Sequence, residues 1–358
     1  MTSSSSVMEG KGAYNKYAKL QAGGAALALP LVEKAIQNVK LDLGGRPVVI
    51  ADYGSSQGKN SLAPMQFTIR NLRLRIGENQ AILVFHIDQP TNDFNSLFEL
   101  LATDPHRYTL GDPHVFPCAI GRSFYEKVLP AESVHLGWSS YAAVWLSRIP
   151  ALIPGHFISL RSTGAARAEF ERQAAQDWKS FLSLRASELL PGGRLVVVLP
   201  GVAAGGSSGF EGIMDHANAA LAEMVKEGAI TADEQTQMVL GSHPRRKVDL
   251  LAPFAQDGQF QDLTVEGFDE SVLTDSAWTD YERDGDSKAL AAKHALFFRA
   301  VFMPSLAVAL ISVRNGDSKA LAAFGDRLEN GLKRRLERQP AAMHSFVHTI
   351  ILAKQSSV

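Results

Sequence analysis

The chain has 358 residues, of which 46% are apolar, and its 36 Lys and Arg against 37 Asp and Glu leave a net charge of -1. That length holds one large domain or two intimate ones, and the balanced charge argues against a nucleic-acid surface or a polybasic membrane anchor. Cys118 is the single cysteine, so no internal disulfide can form, which suits a reducing cytoplasm. No apolar run is long enough to span a bilayer. Met1–Ser6 offers neither a basic nor an apolar leader region and reads as a disordered tail. The expectation is a cytoplasmic protein without nucleic-acid or membrane partners, with a homodimer left open.

In chain order, residues 14–38 read as helix, with Tyr14, Tyr17 and Gln21 at helical spacing on one face. Val48 to Ala51 reads as a buried strand closed by Asp52. Gly54 and Gly58 follow and let the backbone turn sharply against a ligand. Ser61 then caps a helix through Pro64, Met65, Phe67, Ile69 and Leu72. Strand, glycine turn and helix form the first half of a nucleotide-binding βαβ unit. The turn is Gly-x-x-x-Gly and lacks the central glycine that brings backbone against a pyrophosphate. It suits a ligand without phosphates, such as S-adenosylmethionine (SAM). Ala81 to Ile87 is the second strand, and Asp88 at its carboxyl end is placed to accept from both ribose hydroxyls of an adenosine.

Asn92 to Asn95 caps the next helix, and Val115 to Ile120 is a third strand ending at Ser123-Phe124-Tyr125. Ser133 to Trp138 is a fourth strand; Tyr141 and Trp145, four apart, read as one face of a following helix. Phe170 to Leu190 is a helix stopped by Pro191-Gly192-Gly193, and Arg194 to Leu199 is a fifth strand. Alternation of strands and helices predicts a mostly parallel sheet, an α/β fold. Residues 210–330 read as a helical lobe with few strand signals. Within it Gly-Asp-Ser-Lys-Ala-Leu-Ala-Ala occurs at 285–292 and 316–323, each copy a helix start. Phe346 to Leu352 returns as a strand. The organisation expected is a core over 1–200, a helical cap over 201–330, and a helix and strand over 331–358 that rejoin the core.

With these residues in hand the chain resembles the SABATH family of SAM-dependent carboxyl methyltransferases, known mainly from plants, and their bacterial relatives that act on fatty and other small acids. Four stretches carry it: Tyr14 to Gln21, Ala51 to Asn60, Asp88 to Phe98, and Ser123-Phe124-Tyr125 with Leu129-Pro130 and Ser139 to Ser147. The resemblance implies a Rossmann-like class I methyltransferase sheet with a helical cap. It implies that Tyr14, Asp52, Gly54, Ser55, Asn60, Asp88, Gln89, Ser123 and Phe124 bind SAM, with S-adenosylhomocysteine as product. It further implies that Gln21 and Trp145 grip a substrate carboxylate, with Tyr141 beside them and Met214 from the cap as a wall. Trp138 stands where the plant proteins commonly have His, and Tyr17-Ala18 where they have Asn-Ser. These departures bear on the substrate rather than the cofactor.

The chemistry expected is methyl ester formation on a small apolar carboxylic acid, fatty or aromatic. Such an acid has a pKa of about 4 to 5 and is already ionised at neutral pH, so no general base is required. Gln21 and Trp145 offer neutral N–H donors. Trp138, Tyr141, Val144, Trp145 and Met214, lining an apolar pocket, would reject a second charge. Methylation of a phenol or ring nitrogen is the runner-up. Gly205-Gly206-Ser207-Ser208-Gly209 matches a Gly-x-Ser-x-Gly elbow and makes Ser207 the nucleophile of a competing hydrolase reading. His344 and His348 lack an acidic or Cys neighbour, and no metal is expected.

Overall fold

The computed structural model describes residues 15–16, 19–311 and 316–355. Met1–Ser6, Tyr14 and Tyr17 lie outside the described residues. Helices α1 (Lys19–Leu27) and α2 (Leu29–Asn38) lead into β1 (Val48–Tyr53), followed by α3 (Lys59–Ile76), β2 (Ile82–Asp88), α4 (Phe94–Thr103), β3 (Val115–Gly121) and β4 (Val134–Ser140). Then come α5 (Gly164–Glu188), β5 (Leu189–Pro200), α6 (Glu211–Lys226), α7 (Ala232–Gln237) and α8 (Lys247–Leu251). The rest is β6 (Gln259–Phe260), β7 (Leu263–Thr274), α9 (Ser276–Asp284), α10 (Ser287–Val301), α11 (Met303–Ile311), α12 (Ser318–Arg338) and β8 (His344–Lys354).

The strands make one eight-stranded sheet in the order β3-β2-β1-β4-β5-β8-β7-β6. β1 to β5 run parallel, and β8 inserts antiparallel between β5 and β7. The chain builds outward from β1 to β3, then returns to lay β4 on the other side of β1. Carboxyl ends beside such a reversal open a crevice, the usual ligand position of an α/β sheet. Side chains alternate across each strand. Val48 and Ile50 of β1 therefore pack with α2, α3 and α4 on one face. Ala51 and Tyr53 pack with Trp178, Phe181 and Leu182 of α5 on the other. A separate core joins α6, α10, α11 and α12 into the cap.

The α/β expectation holds, and four local expectations are corrected. α3 begins at Lys59 behind Gly58, whose φ of 85° makes the turn, so Ser61 lies in the first helical turn rather than at the cap. The segment after β4 is not helical. Tyr141 takes φ 57°, and Trp145 bridges Ser242 instead. Residues 141–146 are buried on every side, and such packing overrides a four-residue spacing. Pro191-Gly192-Gly193 does not separate helix from strand; it is absorbed into β5 as a bulge opposite β4. The fourth correction is β7, a twelve-residue strand inside the stretch read as helical lobe. Its acidic residues and Gly267 depress strand propensity. Gly267 is nevertheless required there, because a Cβ would lie 2.8 Å from Ile351 Cγ2 across the ladder. The repeated octapeptide does start two helices: Asp286 accepts from the N–H groups of Lys288 and Ala289, and Asp317 from that of Lys319.

Candidate active site

A cavity of about 1050 Å³, counted with its open mouth, lies between the carboxyl ends of the strands and the cap. One wall comes from the turn after β1. Gly54 and Ser55 donate to Ile87 O at 2.8 and 3.2 Å. Gly54 has φ 91°, and a Cβ there would stand 2.1 Å from Ala142 Cβ, so no other residue fits. Asp88 fastens the turn, accepting from Ser56 N at 2.7 Å on one oxygen and from Gln89 N at 2.7 Å on the other. Asn92 Nδ2 donates to Ser56 O, and Asn15 Nδ2 to Gln57 O. Burial raises the Asp88 carboxyl to about 6; the two backbone N–H groups pull it down and the Asp52 charge pushes it up. Both Asp88 oxygens keep lone pairs beyond these two bonds.

Phe124 forms the next part of the wall, on a turn held from behind. Arg185 Nη1 donates to Phe124 O at 2.9 Å, and Glu188 accepts from the N–H groups of Val128 and Leu129. Arg185 and Glu188 are themselves an ion pair with no exposed surface. Nothing in the local sequence marks this buried pair as a support for Phe124. The Trp145 segment is pinned in the same manner. Tyr125 Oη donates to Trp145 O at 2.6 Å, Arg245 Nη1 to Ala143 O at 2.7 Å, and Asp177 accepts from Ser147 N and Oγ. The indole Nε1 of Trp145 makes no hydrogen bond among the described residues, and Gln21 Oε1, buried on α1, has no partner there either.

Of the residues singled out from sequence, Gln21, Gly54, Asp88, Gln89, Phe124, Tyr141, Val144, Trp145 and Met214 share this one cavity. Asp52 and Trp138 do not line it, for one shared reason. Each shares a strand face with residues packed under the helices: Asp52 with Ile50, Trp138 with Leu136. Asp52 is buried and accepts from His86 Nδ1 at 3.0 Å, and His86 Nε2 meets Tyr108 Oη at 2.7 Å. Trp138 packs among Ile50, Met65 and Leu136. Ser55, Asn60 and Ser123 are also off the lining. Ser55 is buried between two lining residues, Asn60 is in the first turn of α3, and Ser123 Oγ accepts from Tyr125 N to shape the Phe124 turn. Ser207 is exposed and donates to Glu211, with no histidine bonded to it among the described residues. His344 and His348 stand four apart along β8, and no group of three metal-ligating side chains occurs among the described residues.

The cavity also takes Ile158, Leu160, Phe210, Leu240, Val301 and Phe302 from the cap side, which sequence reading did not select. They come from segments far apart in the chain, with no motif to join them. Among the described residues, Asp88 is the one charged side chain on the lining. Arg161, which could have supplied a cation, pairs with Asp215, and Arg122 with Glu126.

The residues present fit an adenosyl cofactor. Ser55 Oγ and Ser56 Oγ are buried without a partner among the described residues, the Gly54 turn leaves room for close approach, and Asp88 presents acceptors at a strand end. The model for SAM dependent carboxyl methyltransferases matches residues 3–354. The chain is 36% identical over 235 residues to methyltransferase LUC1 of Fusarium sp, covering 62% of this chain and 59% of that protein. It thus spans less than two thirds of LUC1's length. It is 32% identical over 276 residues to methyltransferase FUS9 of Gibberella moniliformis, covering 74% and 72%. Both are fungal, so the bacterial affinity expected from the resemblance gains nothing from them. A solved structure titled loganic acid methyltransferase with SAH aligns with a TM-score of 0.75 at 22% identity, over 98% of this chain and 99% of that one; at that identity it shows the shared fold. The chain belongs to the SAM-dependent carboxyl methyltransferase family, and its cofactor is SAM.

Proposed function

We propose that the protein forms methyl esters of small carboxylic acids with an apolar body, and that it does so without a general base. The observation that supports this most is the distribution of polar groups on one cavity. The charged group, Asp88, sits at the nucleotide end, and the neutral Gln21 and Trp145 sit among apolar side chains.

Asp88 would accept from both ribose hydroxyls, and Phe124 would flank the adenine. The Gly54 turn lets the backbone approach the cofactor, and Ser55 and Ser56 supply hydroxyls beside it. Bound there, SAM would supply an electrophilic methyl group, which a carboxylate oxygen would take as the S–CH3 bond gives its electron pair back to sulfur. Trp145 Nε1–H and the Gln21 amide orient the carboxylate for that displacement. Being neutral, they leave charge on the nucleophilic oxygen, where an ion-paired Arg would withdraw it. Holding two reactants in line is itself worth roughly 7–11 kcal/mol. Ile158, Leu160, Met214, Val301 and Phe302 exclude water from the carboxylate.

The test is labelled SAM offered with a panel of acids, phenols and ring-nitrogen heterocycles, and the products read by mass. Methyl esters are expected. Label reaching phenols or ring nitrogens and never an acid would replace this reading with the runner-up. A dicarboxylate should be refused, because its second charge would be buried without a partner. Acceptance would mean that an unrecognised cation reaches the cavity.

A further inference from the structure

Trp145 is held by its backbone, and the four hydrogen bonds that hold it are not alike. The peptide before it is fixed at both ends: Val144 O accepts from His243 N at 3.0 Å, and Trp145 N donates to Ala142 O at 3.0 Å. The peptide after it is fixed in the same way. Leu146 N donates to Gly241 O at 2.7 Å, and Trp145 O accepts from the Tyr125 hydroxyl at 2.6 Å. Three of these bonds join backbone to backbone. The fourth comes from a side chain, and that side chain belongs to the cofactor side of the cavity. Tyr125 directly follows Phe124, and the two rings lie 4.8 Å apart between centroids. Their turn is itself anchored: Tyr125 N donates to Ser123 Oγ at 3.2 Å, and Arg185 Nη1 to Phe124 O at 2.9 Å. Burial raises the Tyr125 phenol well above its ordinary value, against the pull of the Arg245 charge, so the hydroxyl keeps its proton and can donate. Tyr125 stands behind the cavity lining, which Phe124 and Trp145 both join.

Tyr125 and Trp145 are 20 residues apart in the chain, so this one hydroxyl ties a turn of the cofactor wall to the segment that carries the indole donor. An in-line displacement depends on the separation of its two reactants, and a misplacement of about 1 Å can cost on the order of a hundredfold in rate. The indole Nε1 lies far from the backbone, so a small tilt of the Trp145 peptide is magnified there. We propose that Tyr125 is a positioning residue whose hydroxyl holds the Trp145 donor at a fixed distance from the cofactor wall, keeping the acid in register with the methyl group. The inference rests on the carboxyl reading above. Either ligand alone can settle in its own half without this tie; only their alignment needs it. Loss of the hydroxyl therefore lowers kcat and leaves both affinities in place.

The experiment is Tyr125→Phe, made alone and together with Trp145→Phe, and assayed with the acid that the wild type esterifies best. The single variant should lose about tenfold in kcat, while KM for the acid and the calorimetric SAM affinity stay within about twofold of wild type. In the Trp145→Phe background the same change should cost nothing further, because the donor it positions is gone. A hydroxyl that only supports the fold would cost the same factor in both backgrounds, weaken SAM binding or unfold the chain, and each of these results overturns the proposal. A rise in KM with kcat preserved overturns it as well, since that pattern belongs to binding rather than alignment. The carboxyl reading fails separately. If the wild type esterifies no acid, or if Trp145→Phe alone leaves kcat/KM for the acid unchanged, that reading is lost and this inference with it.

Discussion

The two halves of the cavity are built in opposite ways. The cofactor half is made of consecutive residues at strand ends: Gly54 to Ser56 after β1, and Asp88 and Gln89 at the end of β2. Its polar groups are the Asp88 carboxylate and the Ser55 and Ser56 hydroxyls, all carried at the strand ends. The substrate half draws on α1, the segment after β4, residues 158–160, α6, residues 240–244 and the end of α10. Its surface is side chains throughout, and its polarity rests on a few neutral groups. A wall of backbone at strand ends cannot be retuned by substitution without losing the fold. A wall of side chains on separate segments can. On the proposed reading the difference places cofactor binding in one half and selectivity in the other, and each prediction below acts on one half while the other serves as its control.

The largest effect is expected from Asp88→Ala. Two hydroxyl donors lose a charged acceptor, each such bond being worth about 1.5–3 kcal/mol. Ser56 N and Gln89 N lose theirs as well. Calorimetric SAM affinity should fall by roughly a hundredfold or more. A change below about fivefold would deny Asp88 the ribose role. Trp145→Phe acts on the other half. It keeps the apolar ring and deletes the Nε1 donor, so kcat/KM for the acid should drop about thirtyfold, near 2 kcal/mol. SAM affinity should hold. An equal loss in both would mean that the two halves are not separable.

Why one half was legible follows from the same contrast. Gly54 and Asp88 are local signals: a glycine where φ is positive, an acid where a strand ends. Asp52 and Trp138 carried the same kind of signal, yet strand alternation turns them toward the helix-packed face, off the cavity lining. Only the register of the whole sheet reveals that. In the cap, Met214 alone came through, and Phe210, Leu240, Ser242 and Phe302 had no motif, since a side-chain wall gathered from six segments leaves no spacing to read. The sheet itself was legible through β5 and again at β8, where Phe346 to Leu352 reads as a returning strand. β7 was hidden by Glu266, Asp269 and Glu270, which suit an exposed face and suppress strand propensity. The cost of burying Arg185 and Glu188 to support Phe124 could not be inferred from a three-residue spacing that is usually a solvated helix pair.

The pH dependence sharpens the comparison further. Asp88 titrates near 6 against an ordinary 3.8. The ribose hydroxyls need the ionised carboxylate, so SAM affinity should be full above pH 7 and fall about tenfold per unit below pH 6. The sign for the free protein is the reverse. A carboxyl with a raised folded pKa binds its proton more readily in the fold, so its contribution to stability is present below the unfolded value and is lost as pH rises through 6. Thermal shift with and without SAM across pH 5 to 8 should therefore widen with pH. A gap that stays constant would show that Asp88 does not titrate on binding.

The smallest effect is expected in the substrate half and is the most direct measure of its apolar character. Each methylene added to a straight-chain acid removes apolar surface from water, worth up to about 0.8 kcal/mol, or roughly fourfold in kcat/KM. The increments should persist while the chain runs along Ile158, Leu160, Met214 and Phe302, then stop when the space is full. The cofactor takes part of the same cavity, so the plateau should come well before a long-chain acid. Met214 offers the sharper version, because its unbranched side chain adapts to different shapes. Met214→Phe should move the plateau to shorter acids and leave SAM affinity unchanged, since Met214 belongs to the cap and Asp88 to the sheet. If the increments are absent from the first carbon onward, the body of the substrate is not held by the cap, and the apolar wall over the carboxylate serves only to exclude water.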